Sequence, residues 1–389
     1  MDVKIPLARP DITDLERKYV LEVLGTSNLS FGPKLREFEK KMAEYVGIEY
    51  AIAVNSGTSG LHLIIRAMGI REGDEVITTP FSFIASANCI LFERAKPVFV
   101  DIDSKTLNID VNKIEEAITE KTKAILAVDM FGHPAKWDKL RELAKHHNLR
   151  LIEDSAEALG AEYKGSKAGS LGDAGVFGFY PNKQITTGEG GVIVTDDERI
   201  AKLCRSMRNQ GRDEGSDWLE HERLGYNYRL SDINCALGIG QLERINEILI
   251  KREKVARMYN ERLKEVDGIE IPYVSPSPHS SPPGGEAISR RVKISWFVYI
   301  VRLRSDYTRV ERDRILEGLR ERGIGCRAYF SPIHLQPFYR KLFGYKRGDF
   351  PTAESVSERT IALPFYNNLG EKEVNYVLEN LKELLKSTP

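Results

Sequence analysis

Residues 175–191 read Gly-Val-Phe-Gly-Phe-Tyr-Pro-Asn-Lys-Gln-Ile-Thr-Thr-Gly-Glu-Gly-Gly. A run of strand-forming residues ends in a Pro-Asn turn, the turn presents the amine of Lys183, and the chain continues into a glycine-rich loop. The apolar run and the glycines favour a buried amine, because glycine lets the backbone approach a ligand closely. The alternative is an exposed turn, since most lysines are solvated. A buried amine would be a nucleophile suited to an aldehyde cofactor.

Short β-branched runs alternate with helical patterns around this stretch. One of the intervening helices is expected over Lys136–His147. The alternation predicts an α/β fold with a mainly parallel sheet covered by helices on both faces, and ligands gather at the carboxyl ends of such strands. The expected strands are Ala51–Asn55, Glu75–Thr78, Pro97–Val100, Ala124–Val128, Leu149–Ile152, Val176–Phe179 and Val192–Val194.

The pattern changes towards the carboxyl terminus and predicts a second, smaller α+β domain. We expect a large domain over residues 1–245, including the amino-terminal segment, and a small domain over 246–389. Residues 275–293 are rich in proline, serine and glycine and predict a surface loop. The other expected elements are a connecting helix over Gln241–Leu263, a strand over Trp296–Val301, a helix over Glu311–Arg322, a strand over Gly325–Phe330 and a final helix over 371–386.

Charge and cysteine content restrict the class of partner. Lysine plus arginine equals aspartate plus glutamate, at 57 each, and this balance argues against nucleic acid or an anionic membrane as the main partner. The four cysteines are far apart and show neither metal-ligand nor disulfide spacing, so we expect no metal site. With no signal peptide and no spanning segment in the sequence, we expect a cytoplasmic protein.

The run Ser56-Gly-Thr-Ser-Gly60 follows the first expected strand and opens a helical pattern. Backbone N–H groups at a helix start, here from Gly57 onward, form a cup for a phosphate group, which the hydroxyls of Thr58 and Ser59 can complete. An ordinary serine or threonine cap is the alternative, because such caps are common.

The run Glu153-Asp-Ser-Ala-Glu157 ends another expected strand. A carboxylate at this strand end, that of Asp154, can face a pyridine nitrogen and keep it protonated, so that the ring accepts electrons. A turn or cap aspartate is the alternative reading. The position of Asp154 shortly before Lys183 favours a catalytic role.

Thr79-Pro-Phe-Ser-Phe83 also lies just past a strand and offers an aromatic ring to cover one face of a flat cofactor. We choose Phe83 over Phe81 for this role, although a phenylalanine in the core would look the same in sequence. An amine, a phosphate cup, a carboxylate and a ring together indicate pyridoxal phosphate (PLP) as the cofactor.

These motifs, taken together and in this order, resemble the DegT/DnrJ/EryC1/StrS family of PLP-dependent sugar aminotransferases. The likeness covers nearly the whole chain. It is carried by Ser56–Ser59, Glu153–Glu157, Phe179–Lys183, Thr186–Gly191, Gly225–Leu230, the opening Ile5–Pro10 and the late Pro332–His334.

The resemblance implies fold type I, the fold of aspartate aminotransferase. It also implies that Lys183 is the Schiff-base lysine, that Asp154 lies at the ring nitrogen and that Glu157 lies near the ring. Thr58 and Ser59 would hold the phosphate. In relatives, the asparagine equivalent to Asn227 reaches the phosphate of the neighbouring subunit, which implies a homodimer with shared sites. Arg229 is expected to support that segment or to contact the substrate.

One position departs from the common pattern of the family. Many members have a serine phosphate ligand five residues before the lysine, where this chain has Gly178. A net hydrogen bond to a charged group contributes about 1.5–3 kcal/mol. Asn182, backbone N–H groups or water would have to replace the missing hydroxyl.

The resemblance implies a ping-pong aminotransferase. Glutamate or glutamine would donate an amino group, and the acceptor would be a nucleotide-linked keto-deoxysugar, with a 4-keto group favoured over a 3-keto group, in the synthesis of cell-surface polysaccharide or secondary metabolites. His334 and the 275–293 loop are candidate substrate contacts, although a lone histidine is more often packed or solvated. A PLP-dependent sugar lyase or dehydratase and a non-catalytic PLP-fold regulator are the alternatives.

Overall fold

The computed structural model describes residues 4–215, 217, 219–274 and 292–387. In chain order its strands are β1 Tyr50–Val54, β2 Glu75–Thr78, β3 Lys96–Phe99, β4 Thr122–Val128, β5 Arg150–Asp154, β6 Glu162–Tyr163, β7 Ser166–Lys167, β8 Ala174–Gly178, β9 Gly191–Thr195, β10 Ile269–Glu270, β11 Val292–Lys293, β12 Tyr299–Leu303 and β13 Thr360–Leu363.

Helices separate most of these strands. They are α1 Asp14–Leu24, α2 Pro33–Val46, α3 Gly57–Ala67, α4 Ala85–Phe92, α5 Trp137–His147, α6 Glu198–Arg208, α7 Asp232–Glu243, α8 Ile245–Leu263, α9 Arg309–Glu321, α10 Pro337–Phe343, α11 Pro351–Arg359 and α12 Glu371–Ser387. Short 3₁₀ turns occur at Val111–Lys113, Glu115–Ala117, Met130–Gly132 and Ile333–Leu335. Among the described residues, no helix combines the length and apolar character needed to span a bilayer.

The central sheet has the strand order β1-β9-β8-β5-β4-β2-β3. The pairs β8-β5, β5-β4, β4-β2 and β2-β3 are parallel, and β9 is antiparallel to both of its neighbours. The mainly parallel sheet expected from the sequence is therefore confirmed. Its strands are almost continuously apolar because helices cover both faces.

Alternate residues of each strand pack against different helices. Val76 of β2 belongs to the apolar cluster that contains α3, whereas Ile77, the next residue, belongs to the cluster that contains α5. This alternation follows from the two-residue period of a strand. The sheet thus lies between two layers of helices. The loops that follow the parallel strands lie at its carboxyl edge.

The expected connecting helix over Gln241–Leu263 is wrong in one respect, because the structure breaks it at Arg244. Arg244 has φ −97° and ψ 6°, which ends α7 before α8 begins. Its guanidinium donates to Glu16 at 2.7 Å and to Asp11 at 3.2 Å. These ionic contacts with the amino-terminal segment hold the break, and no local sequence pattern reports them.

Two other expectations differ from the structure. The strand expected over Gly325–Phe330 is absent from that part of the chain, where only a single bridge joins Arg327 to Ala362. The expected 275–293 loop lies outside the described residues as far as 291, but Val292–Lys293 form β11, which pairs with β6. In both places, whether a strand forms depends on a pairing partner that is distant in the sequence.

A second apolar core surrounds the three-stranded sheet β10-β12-β13. Helices α9 and α12 pack against each other beside it, and the second half of α8 contributes Val255, Tyr259 and Leu263. Ile5 also belongs to this core and forms a bridge with Ile324. The first described residues therefore pack on the second core, although we assigned the amino-terminal segment to the large domain.

Candidate active site

The lysine loop joins β8 to β9 at the carboxyl edge of the sheet. The amide of Lys183 donates to the carbonyl of Tyr180 at 2.9 Å, which closes the Pro-Asn turn. The amide of Thr187 donates to Phe179 at 3.1 Å, and the amide of Phe179 donates to Gly190 at 2.9 Å. These bonds turn the glycine-rich segment back on the strand and leave the Lys183 side chain only 15% exposed. The structure therefore favours a buried amine over an exposed turn.

Two groups lie directly against the Lys183 amine. Its Nζ atom is 3.5 Å from Oε1 of Glu157 and 4.0 Å from the centre of the Phe297 ring. The other Glu157 oxygen accepts the backbone N–H of Phe131 at 3.0 Å. Burial raises the pKa of Glu157, while the charge of Lys183 and the Phe131 amide oppose this shift. The amine and the carboxyl group therefore form a pair that is largely shielded from water.

The turn that supplies the Phe131 amide has an unusual backbone. Phe131 has φ 54° and ψ 27°, a left-handed conformation that is rare for a bulky residue. The next residue, Gly132, has φ 84°, and a Cβ atom there would lie 1.7 Å from the Ser295 carbonyl oxygen. This strained turn orients an N–H towards Glu157, an arrangement typical of functional sites.

Asp154 is the last residue of β5, and its side chain is buried. Oδ2 accepts the hydroxyl of Ser86 at 2.7 Å, and Oδ1 accepts the amide of Ala156 at 3.2 Å. Burial raises the pKa of Asp154, and these two donors and the charge of Lys183 oppose it. A buried carboxylate with few donors gains most from a cationic partner, so this position suits a protonated pyridine nitrogen.

Helix α3 begins shortly after β1, at the place where the sequence predicts an anion cup. Ser56 is the N-cap, and its hydroxyl oxygen accepts the amide of Ser59. The amides of Gly57 and Thr58 are the first two of the helix and have no intrahelical acceptor, because a helix leaves its first N–H groups unpaired. They and the half-buried Thr58 hydroxyl are available to a phosphate.

Ser59 differs from the expectation. Its hydroxyl donates to Oδ1 of Asn55 at 2.6 Å and lies 2.9 Å from the hydroxyl of Ser56. The proton that was expected to contact a phosphate is therefore engaged within the chain. In this structure Ser59 supports the cup rather than offering a free hydroxyl to it.

Glycines bring three chain segments together at this cup. A Cβ atom on Gly57 would lie 3.5 Å from Cα of Gly178, and one on Gly191 would lie 2.7 Å from the amide nitrogen of Gly57. The end of β8 and the start of β9 thus lie against the first turn of α3. Gly178 stands where the family's serine would face the cup, and a Cβ atom there would meet Ala156 at 3.4 Å, an ordinary contact.

The two candidate phenylalanines have different surroundings. Phe83 is 60% exposed, whereas Phe81 is fully buried with its ring near those of Phe131 and Phe330. The residue before Phe83 is Ser82, whose hydroxyl lies 2.9 Å from that of Ser86, the partner of Asp154. Phe83 is thus an exposed ring that directly follows Ser82 in the chain, and Phe81 is a core residue.

The segment that contains Asn227 lies beside the cup of its own chain. The amide of Asn55 donates to Tyr228 at 2.9 Å, and the Asn55 side chain donates to the carbonyl of Asn227 at 3.4 Å. Arg229 donates to the side chain of Asn209 at 3.1 Å, so it supports this segment. Contact of Asn227 with the phosphate of a partner subunit stays a prediction.

His334 does not occupy a substrate pocket. Its ring is fully buried, Nε2 lies 3.1 Å from Glu354, and the ring packs edge-on against Phe350. A ring with no exposed surface cannot touch a sugar, so the expected contact is wrong in this structure. His334 instead connects its own 3₁₀ turn, Ile333–Leu335, to α11 through the contact with Glu354.

The site contains residues that the sequence alone did not reveal. Phe297 covers the lysine amine, Ser86 bonds to Asp154, and the side chain of Gln184 donates to the Glu157 carbonyl at 2.6 Å. The only sequence signal for any of these three residues is that Gln184 directly follows Lys183. Oδ1 of Asn182 is buried and has no hydrogen-bond partner among the described residues.

The donor set fits pyridoxal phosphate. Free amides at a helix start face a phosphate, a buried carboxylate can face the ring nitrogen, an accessible phenylalanine can cover the ring, and a shielded amine can bond to the aldehyde. The cysteines are buried free thiols. A surface group of Glu115, His146 and His147 has possible metal-ligand atoms within 4.8 Å of one another, and it contributes nothing to this site.

Comparisons with known proteins agree with this geometry. A model of the DegT/DnrJ/EryC1/StrS aminotransferase family matches residues 10–382. The chain is 40% identical to GDP-perosamine synthase of Caulobacter vibrioides, over 98% of each chain.

Two solved structures are similar over nearly their whole length. Helicobacter pylori PseC, an aminotransferase involved in the biosynthesis of pseudoaminic acid, has a TM-score of 0.89 and 30% identity, with 98% of this chain and 99% of that chain covered. The PLP form of the putative sugar aminotransferase Spr1654 from Streptococcus pneumoniae has a TM-score of 0.90 and 30% identity, with 99% of each chain covered.

Proposed function

We propose that this chain, which belongs to the DegT/DnrJ/EryC1/StrS aminotransferase family, transfers the amino group of glutamate or glutamine to a keto group on a nucleotide-linked deoxysugar. The expectations of fold type I, of a PLP-dependent sugar aminotransferase and of pyridoxal phosphate as cofactor are confirmed by the family match and the solved relatives. The donor, the nucleotide and the keto position are proposals.

The observation that carries the proposal is the placement of the Lys183 amine. It is shielded from water, lies 3.5 Å from the Glu157 carboxyl group and is close enough to Asp154 for its charge to oppose the raised pKa of that residue. When bound, pyridoxal phosphate supplies a ring that accepts electrons from the reacting carbon. Lys183 supplies the attachment point and moves a proton.

The other residues bind and orient. The amides of Gly57 and Thr58 would hold the phosphate, and Asp154 would keep the ring nitrogen protonated. Phe83 would cover one face of the ring. Glu157 keeps the amine of Lys183 in place while it is not attached. Together these contacts fix the position of the amine relative to the reacting carbon, and such positioning accelerates proton transfer.

The choice of substrate is supported by the relatives. GDP-perosamine synthase shares 40% of its residues with this chain over nearly the whole length, which makes a GDP-linked keto-deoxysugar the first acceptor to test. We keep the 4-keto position as the favoured one. A role in making amino sugars for polysaccharide is further supported by the similarity to the spore coat polysaccharide biosynthesis protein SpsC of Bacillus subtilis, at 37% identity.

We also propose a homodimer with shared sites, acting in the cytoplasm. Leu29, Phe31 and Leu224 are large apolar side chains exposed around the segment that carries Asn227. The backbone of Leu29 accepts the amide of Asp232, so these two segments lie together. Exposed apolar groups next to a site are typical of an interaction surface, and a second copy would bring its Asn227 to this one.

The test is an assay of the purified protein with pyridoxal phosphate, glutamate or glutamine, and GDP- or UDP-linked 4-keto- and 3-keto-deoxysugars. We expect one molecule of 2-oxo acid for each amino sugar formed. Lys183→Ala should abolish turnover and the visible absorbance of the bound cofactor. Lys139→Ala, which changes an exposed lysine, should alter neither.

Other results would identify the alternatives. Loss of keto-sugar without formation of 2-oxo acid would indicate a lyase or dehydratase. Binding of cofactor and sugar without any product, across the whole set of donors and acceptors, would indicate a regulator. Visible absorbance that persists in Lys183→Ala would contradict the assignment of the lysine.

A further inference from the structure

The Lys183 amine is held by more than its ion pair. The 3.5 Å distance from Nζ to Glu157 is longer than the 2.7–2.9 Å of a strong charge-assisted hydrogen bond. The second neighbour, the Phe297 ring, lies with its centre 4.0 Å from Nζ. The face of an aromatic ring attracts an ammonium group within about 6 Å. Phe297 therefore contributes a second attractive contact to the amine, beside that of the carboxyl group.

Phe297 is fixed from the side of the second core. It is only 2% exposed. The buried guanidinium of Arg252 donates to the carbonyl of Phe297 at 2.6 Å and to the carbonyl of Trp296 at 2.6 Å, and it also donates to Asn367 at 2.9 Å. Two of these bonds, from one rigid, planar group, restrain the backbone of the Trp296–Phe297 segment, and the bond to Asn367 fixes the guanidinium itself. They fix the backbone that carries the ring, and the burial of the ring limits its rotation away from Lys183.

The same segment is fixed from the side of the lysine loop. The side chain of Gln184 donates to the carbonyl and to the hydroxyl of Ser295, both at 3.1 Å. The Ser295 hydroxyl donates to Leu159 at 2.5 Å, and the Ser295 amide donates to Gly132 at 3.0 Å. Gln184 is the residue after Lys183. The lysine and the ring that covers it are therefore attached to one hydrogen-bonded unit.

We infer that Phe297 is a positioning residue that holds the Lys183 amine beside Glu157 whenever the amine is not attached to the cofactor. This inference rests on the proposed function, because an aminotransferase must release the lysine and use the same amine again in every cycle. The ring acts through Lys183 and restricts where the amine can move. It thereby keeps the proton donor and acceptor in one place for both half-reactions.

The first test separates the electrostatic role of the ring from its bulk. Phenylalanine at position 297 is replaced by 4-fluoro-, trifluoro- and pentafluorophenylalanine, which weaken the attraction of the ring face for a cation in steps with little change of shape, and by leucine. We expect the rate constants of both half-reactions to fall together along the fluorinated series, and by about 2- to 30-fold for Phe297→Leu. The KM for the sugar should stay within about twofold.

The second test does not depend on turnover. The full-length protein is freed of cofactor and treated with an amine-reactive reagent, and the labelling of each lysine is measured by mass spectrometry. We expect Lys183 to react several-fold faster in Phe297→Leu than in the wild-type protein, with the other lysines unchanged. The control is Phe99→Leu, which removes another buried ring and should leave Lys183 as slow as in the wild type.

The two tests have outcomes that overturn the inference separately from the function. Equal half-reaction rates across the fluorinated series, together with unchanged labelling in Phe297→Leu, would overturn the role of Phe297 while an active aminotransferase remained. A wild-type protein that forms no 2-oxo acid would overturn the proposed function, and the labelling contrast would still report whether the ring restrains the amine.

Discussion

The Nζ atom of Lys183 lies 3.5 Å from Oε1 of Glu157, and the Glu157 side chain is only 7% exposed. Burial raises the pKa of this carboxyl group, and the amine and the Phe131 amide limit the rise. The carboxylate charge is therefore lost at a higher pH than for an exposed glutamate. The pairing of amine and carboxylate weakens as the pH falls through that raised pKa.

Replacing Glu157 with glutamine should remove this pH dependence. The amide keeps the shape and can still accept the Phe131 N–H, but it has no charge to pair with Lys183. We expect kcat/KM at neutral pH to fall about tenfold, because the lost contact is a hydrogen bond to a charged group. The acidic limb of the pH profile of kcat/KM should move to lower pH. The exposed Glu142→Gln should reproduce the wild-type profile, and an unmoved acidic limb in Glu157→Gln would contradict the pairing.

Gly178→Ser should strengthen cofactor binding. The added hydroxyl would lie at the anion cup, where a Cβ atom meets Ala156 at an ordinary 3.4 Å. A new hydrogen bond to the phosphate is worth about 1.5–3 kcal/mol, or about 10- to 150-fold in the dissociation constant of PLP.

The matched control for this change is Gly178→Ala, which adds the same Cβ atom without the hydroxyl. Dissociation constants are measured by equilibrium dialysis or by quenching of protein fluorescence. We expect the alanine variant to bind PLP as the wild type does or more weakly. Equal tightening in both variants would show that the hydroxyl is not the cause.

Arg252 should be essential to stability. Its buried guanidinium satisfies the carbonyls of Trp296 and Phe297. Arg252→Leu leaves these acceptors unpaired, and we expect the free energy of unfolding to fall by about 2–5 kcal/mol. Arg257→Leu, on the exposed side of the same helix, removes only a surface pair with Glu253 and should cost less than about 1 kcal/mol. Urea denaturation, monitored by circular dichroism, measures the free energy of unfolding of both variants. Similar losses in the two variants would disprove the structural role of Arg252.

The buried carboxyl groups of Asp129 and Glu153 should make the free energy of unfolding fall as the pH rises. The Ser155 hydroxyl lies 2.8 Å from Asp129 and 2.8 Å from Glu153. A hydroxyl has one proton, so one contact requires a protonated carboxyl group. Burial raises the pKa of both groups, that of Glu153 well above its usual value with the charge of Asp129 adding to the rise. The folded chain thus keeps a proton that the unfolded chain has released.

The sign of the effect follows from proton binding. Because both folded pKa values are raised, the stabilising contribution is complete below the unfolded values and is lost as pH rises through the folded ones, at up to about 1.4 kcal/mol per pH unit for each proton. In Asp129→Asn, the amide oxygen can accept the Ala135 and Trp137 N–H groups while its NH₂ donates to Ser155. We expect this variant to lose less stability between pH 5 and about pH 8 in urea titrations. A slope equal to that of the wild type would contradict the shared proton.

Local signals in the sequence predicted the candidate catalytic groups and where they lie in the fold. Asp154 ends a strand, and Gly57 and Lys183 lie in segments that follow strands, so their place at the carboxyl edge of the sheet follows from the alternation of strands and helices. Motif order identified the family, and the helix start after β1 identified the anion cup. These predictions needed only neighbours in the chain.

Tertiary structure alone decided the contacts between distant segments. Phe297 covers Lys183, and His334 is buried against Glu354 instead of facing a substrate. The guanidinium of Arg244 meets Asp11 and Glu16, where the chain breaks the expected long helix. Each outcome depends on which surfaces pack together. Periodicity fixes the buried face of an element but not its partner, so only the folded chain could reveal these contacts.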